Sequence, residues 1–74
     1  MKMLIRYTIH ALKRMVKFGL SKDYIENVIM KYGKEIKEGK TKVKFVFKSK
    51  RGTWIAICNK TEDRCVVITV TRTH

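Results

Sequence analysis

His10, Lys13, Arg14 and Lys17 fall at i, i+3, i+4 and i+7, a spacing that puts all four on one flank of a helix. An imidazole titrates near neutrality and can take or give a proton. A guanidinium can clamp a phosphate through two parallel hydrogen bonds. The same residue types recur late in the chain as Arg51, Arg72 and His74. The sequence has no carboxylate pair, Walker loop or nucleophile elbow, and neither histidine stands at a recognised metal-ligand spacing from Cys58 or Cys65. The chemistry that suits this inventory is RNA cleavage without metal or cofactor. The 2′-hydroxyl attacks the adjacent phosphate, which calls for a base, cations for the developing charge and an acid for the leaving 5′-oxygen. His10 or His74 is the candidate for proton transfer, with Arg14, Arg51 and Arg72 as phosphate clamps.

A second group of residues suits binding rather than turnover. Lys40, Lys42, Lys44, Lys48, Lys50 and Arg51 form the densest basic tract. Alternation along a strand puts Lys42, Lys44 and Lys48 on one side, a ladder that can follow a phosphate backbone. Trp54 beside Lys48 is a candidate platform for a stacked base. With Lys13, Lys17 and Lys50 these make up the expected nucleic-acid contacts. Each has a plainer reading: a solvated helix face, lysines that protect a sheet edge from aggregation, a tryptophan that packs. Composition tilts the balance. Eighteen Lys and Arg against six Asp and Glu leave a net charge of +12 on 74 residues. Lysine-rich solubility surfaces ordinarily carry glutamate in step, and here the acids lag. So much charge on so small a body repels itself, and a polyanion is the partner that relieves it.

No apolar run approaches the roughly 20 residues of a membrane span. The opening Met1–Tyr7 breaks too soon for a secretory signal, so a cytoplasmic protein with no membrane partner is expected. There Cys58 and Cys65 stay as thiols, and the Asn59–Thr61 sequon is turn chemistry only.

The elements that must position these residues are legible in the periodicity. Residues 3–7 read as a short strand. Thr8 caps a helix over 9–18 with Ile9, Leu12, Met15 and Val16 as its apolar stripe, and Gly19 ends it. Ser21 caps a second helix to about Tyr32, with Ile25, Val28, Ile29 and Tyr32 on one face and Gly33 as its stop. From Lys34 the period changes to two, with a short strand at 35–38 and longer ones around 43–47, 54–58 and 65–71. One domain over 1–74 is expected, α+β with β-α-α-β-β-β order and both helices on one face of an antiparallel sheet. A three-residue loop at Lys50–Gly52 pairs Phe47 with Ile55. A four-residue loop at Lys60–Asp63 pairs Ile57 with Val66 and sets Cys58 opposite Cys65. The core face is then Val43, Phe45, Phe47, Ile55, Ile57, Val66, Ile68 and Val70. The helix-free face carries Trp54 among Lys42, Lys44 and Lys48. Contact with a polyanion there requires that face to stay open.

The segment Thr8-Ile9-His10-Ala11-Leu12-Lys13-Arg14-Met15, followed by Phe18-Gly19-Leu20-Ser21 and by Ile25, Val28 and Ile29, resembles a small family with a His-Ala-x-x-Arg-Met motif. The Cys65-Val66-Val67-Ile68-Thr69-Val70 strand resembles its last segment. That family is grouped with the RelE/ParE-like toxins, including the BrnT type, whose fold sets two N-terminal helices against an antiparallel sheet. The resemblance implies an endoribonuclease that cleaves mRNA, in some relatives on the ribosome, and an acidic antitoxin that occupies the basic surface. A non-catalytic nucleic-acid-binding module is the alternative from composition alone. A ParE-like protein that binds another protein is a further one. Helix-turn-helix DNA recognition fits poorly, because Asp23 and Glu26 would open the reading helix against phosphates.

Overall fold

A computed structural model describes residues 3–73 of the chain. Its elements run β1 (Leu4–Tyr7), α1 (Ile9–Phe18), α2 (Lys22–Asn27), a π-wound segment Val28–Tyr32, β2 (Lys34–Lys37), β3 (Lys42–Ser49), β4 (Gly52–Lys60) and β5 (Arg64–Arg72). Local chemistry sets the helix ends. The Thr8 hydroxyl accepts the Ala11 N–H at 3.0 Å and Ser21 accepts the Tyr24 N–H at 3.1 Å, each satisfying a donor that a helix start leaves orphaned. Gly19 closes α1 at a φ of 70°, a left-handed position open to glycine without strain.

The strands form one sheet in the order β1-β5-β4-β3-β2. The pairs β2–β3, β3–β4 and β4–β5 are antiparallel, while β1 lies parallel to β5. The sheet is therefore mixed, not antiparallel; the short strand expected at 35–38 forms as β2, so four strands follow the helices where the order β-α-α-β-β-β counted three. β1 runs directly through Thr8 into α1, so it joins β5 by a crossover and not by a hairpin. Thr8 pins that junction by donating to the Ile68 carbonyl at 2.7 Å.

The register overturns the expected assignment of faces. Ser49 pairs with Gly52, so the β3–β4 turn holds two residues, and Phe47 stands opposite Trp54, not Ile55. Phe45 pairs with Ala56 and Val43 with Cys58. A one-residue slip turns every β4 side chain over. Trp54, Ala56, Cys58, Cys65 and Val67 are buried with Val43, Phe45, Phe47 and Val70 beneath the helices, while Ile55, Ile57, Val66 and Ile68 are left only partly covered. The two-residue turn sets Lys44 opposite Ile57, a charged side chain across from an apolar one. The pairing is tolerated because that face of the sheet has no helix over it. On β5 a bulge beside Ile57 and Cys58 leaves Ile68 without a cross-strand partner, which returns Val70 to the core. Cys58 stands opposite Val67 and Cys65 opposite Lys60, so the cysteines are diagonal neighbours; both are free thiols.

The helices depart from expectation in roll and not in extent. α1 buries Ala11 and Met15 and packs Phe18 against the core, whereas Ile9 is 72% and Val16 82% exposed. The second helix keeps Ile25, Val28 and Ile29 buried, but its last turn is wound as a π-helix closed by Gly33 N–H to the Val28 carbonyl at 2.7 Å. That wider winding turns Tyr32 out of the apolar face, 71% exposed. Among the described residues no helix is long and apolar enough to cross a membrane.

Candidate nucleic-acid interface

Three of the residues singled out for chemistry meet at one end of the molecule, where α1 finishes, β3 turns into β4 and β5 ends. Arg14 donates from Nε to the Val70 carbonyl at 2.9 Å and from Nη2 to Thr71 Oγ1 at 3.5 Å. Its guanidinium lies 5.3 Å from the centre of the Phe18 ring. Phe18 in turn packs on Trp54 with ring centres 4.7 Å apart, and the Arg72 guanidinium sits 5.9 Å from the Trp54 ring. Arg72 also covers Gly52, where an added Cβ would stand 3.3 Å from its guanidinium nitrogens. Arg14 and Arg72 thus hold the aromatic pair from two sides, and Arg51, in the adjoining turn, lines a cavity together with Phe18. Lys17 joins them with Nζ 5.8 Å from the Phe18 ring. The rings gain from cations held over their faces.

The remaining candidates are less concentrated. His10 is exposed on α1 one turn before Arg14, and Lys13 is exposed near it. His74 lies outside the described residues. Trp54 is not on an open face. It is 2% exposed, lies beneath the helices, and donates from Nε1 to Ser49 Oγ at 2.7 Å. It is a packing residue and offers no open face to a polyanion.

The lysines fare differently, because β3 kept its expected orientation. Lys42, Lys44 and Lys48 alternate with the buried Val43, Phe45 and Phe47, and so lie on the helix-free face. Arg6 and Arg64 reach the same face from β1 and β5. Ile55, Ile57, Val46 and Val66 occupy its centre where Trp54 was expected. β3 is flanked by β2 and β4, so edge protection does not explain these lysines. That role fits β2, a fully exposed strand of four residues with Lys34 and Lys37.

Charge is poorly compensated. Among the described residues only two ion pairs form, Lys44–Glu38 at 3.1 Å and Lys60–Glu35 at 2.5 Å. Among the described residues no charged side chain is buried, so the cations outside these pairs and the Arg14 contacts are open to solvent and ligands.

Away from this surface, packing shifts the titration of Tyr7 and of the Cys58–Cys65 pair. Burial, with the Glu26 carboxylate second, pushes the Tyr7 hydroxyl up to about 12; the hydroxyl donates to the Lys22 carbonyl at 3.3 Å. Hydrogen bonding to Cys65 and burial push the Cys58 thiol up, so it stays protonated and inert.

The site also contains residues that the sequence did not flag. Tyr24 donates to the Lys48 carbonyl at 3.2 Å, a contact across 24 residues with no local signal. Ser49 organises the β3–β4 turn by accepting from both Trp54 Nε1 and the Arg51 N–H, the latter at 3.2 Å. A short turn would have revealed it, since only that register brings Ser49 to Trp54. No protein-family model, curated protein or solved structure matches the chain.

Proposed function

We propose that this protein is an RNA-binding domain that works in the cytoplasm as a RelE-like ribonuclease toxin, restrained by an acidic antitoxin. The observation that carries the reading is the placement of Arg14 and Arg72 against Phe18 and Trp54, with Arg51 lining the cavity beside Phe18, on a chain of charge +12 with few carboxylate partners. In that reading Arg51 and Arg72 grip the scissile phosphate and its developing charge. His10, one helical turn from Arg14, exchanges the proton of the 2′-hydroxyl or of the leaving oxygen. Arg14 has a different part. Its guanidinium is already committed to Val70 and Phe18, so it positions the end of β5 on which Arg72 is carried.

The second reading, a module that binds RNA without cutting it, is favoured by that same commitment of Arg14, which removes one free clamp. The two separate cleanly. End-labelled mRNA is incubated with pure protein, with and without ribosomes. Cleavage by the wild type, lost in His10→Ala and in Arg51→Ala with binding retained, supports the nuclease. Bound but intact RNA under both conditions leaves the module. Absence of any binding at physiological salt rejects both.

A further inference from the structure

Beyond the basic end, a groove runs along the side of the molecule where the second helix faces β3, and its construction fits a single nucleic-acid strand. Two cavities of about 650 and 620 Å³ lie end to end there, within the size range of small-ligand sites. They share Tyr24 and Lys48. The first opens toward Phe18 and the β3–β4 turn, with Lys50 and Arg51 at its mouth. The second opens toward Tyr32 and Lys34. Among the described residues no Asp or Glu lines either one.

Tyr24 is the partition between them, and it is held rigidly. Its hydroxyl is bonded to the Lys48 carbonyl, and the edge of its ring meets Phe47 with centres 5.8 Å apart at 72°. Tyr32 stands in the outer cavity because the segment Val28–Tyr32 is π-wound. Such windings are uncommon and recur at functional sites. Ser49, on the floor of the inner cavity, already accepts two hydrogen bonds. Its own proton has no acceptor among the described residues and is free for a ligand oxygen.

We infer that this groove seats successive nucleotides of single-stranded RNA, with bases against Tyr24 and Tyr32 and phosphates on Lys34, Lys48, Lys50 and Arg51. Aromatic rings interleaved with cations are what sequence-tolerant single-strand binding requires, since every base has a stacking face. A duplex hides those faces and gains only the cations. The inference rests on the RNA-binding reading above and names the form of RNA that it takes.

The test uses the full chain and fluorescence anisotropy with a labelled single-stranded oligouridine, the same RNA as a duplex, and an acidic peptide of equal charge. Tyr32 is largely exposed, so Tyr32→Ala is expected to fold as the wild type does. It should weaken the single strand about tenfold and leave the duplex within about twofold. The double variant Lys50→Ala with Arg51→Ala should reduce the salt dependence of single-strand binding by about 1.4 in log–log slope, about 0.7 for each lost contact. Equal losses on single strand and duplex, or none in Tyr32→Ala, overturn the groove while RNA binding itself stands. An acidic peptide that outcompetes the RNA with the same Tyr32 dependence assigns the groove to a protein and overturns the inference. Failure of the wild type to bind any of the RNAs removes both the inference and the reading beneath it.

Discussion

A single hydrogen bond ties the β3–β4 turn to the core. Ser49 Oγ is the partner of the Trp54 indole N–H, on a side chain that is 2% exposed. Ser49→Ala strands a buried donor and should cost about 1–3 kcal/mol in urea unfolding. No loss at all would mean that water reaches the indole. Tyr7 makes a pH-dependent contribution of known sign. Its folded value, about 12, lies above the ordinary 10.0, so the folded protein holds the phenolic proton more tightly than the unfolded chain. The stabilisation is complete below pH 10 and disappears as pH rises from there through about 12. The stability gap between wild type and Tyr7→Phe should narrow across that window and stay constant below it; a gap that widens would reverse the assignment. Cys58 and Cys65 are both buried, so thiol labelling should be slow in the native state and immediate in denaturant.

Among the elements, the π-wound segment is the least forgiving. Gly33 has an ordinary φ of −77°, and backbone reasoning alone would accept alanine there. A Cβ at Gly33 would nevertheless stand 2.7 Å from the Val28 carbonyl oxygen, 2.8 Å from Val28 Cγ1 and 3.2 Å from Phe45 Cβ. Gly33→Ala should therefore lower stability by about 1–3 kcal/mol through overpacking, seen as a fall in melting temperature. Gly33 permits the tight closure that presents Tyr32, so the same variant should also disturb the groove. α1 gives a companion case. Arg14 ties it to the part of β5 that extends past β1, with Ala11, Met15 and Phe18 inward and Ile9 and Val16 outside. Arg14→Ala should destabilise the fold, which is why loss of activity in that variant alone is no proof of catalysis.

For the molecule as a whole, self-repulsion dominates the electrostatics. With two ion pairs among the described residues and a net charge of +12, added salt screens repulsion more than attraction. The melting temperature should rise with sodium chloride from low to physiological concentration. A fall would show that the few ion pairs outweigh the rest. RNA affinity should move the opposite way. Replacing Lys42 and Lys44, which lie outside the groove, together by alanine should flatten its log–log salt slope by about 1.4, if the open face meets the strand as well. An unchanged slope would confine binding to the basic end and the groove.

The sequence alone settled which elements form and where the helices start and stop. Thr8, Gly19, Ser21 and Gly33 are local signals, each acting within a few residues, and the strands announced themselves by period two. It also settled which β3 residues face outward, since Val43, Phe45 and Phe47 leave Lys42, Lys44 and Lys48 no choice. Tertiary structure decided the rest. A two-residue turn in place of three, and one bulge at Ile68, differ by little in local energy yet invert which side of β4 is buried. Only the packing of Trp54 between Phe18, Arg72 and Ser49 selects between them. The groove beneath Tyr24 depends on partners 24 residues apart and on a π-turn, and neither is written in any short stretch of chain, because periodicity reports the faces of an element and not what will lie across from them.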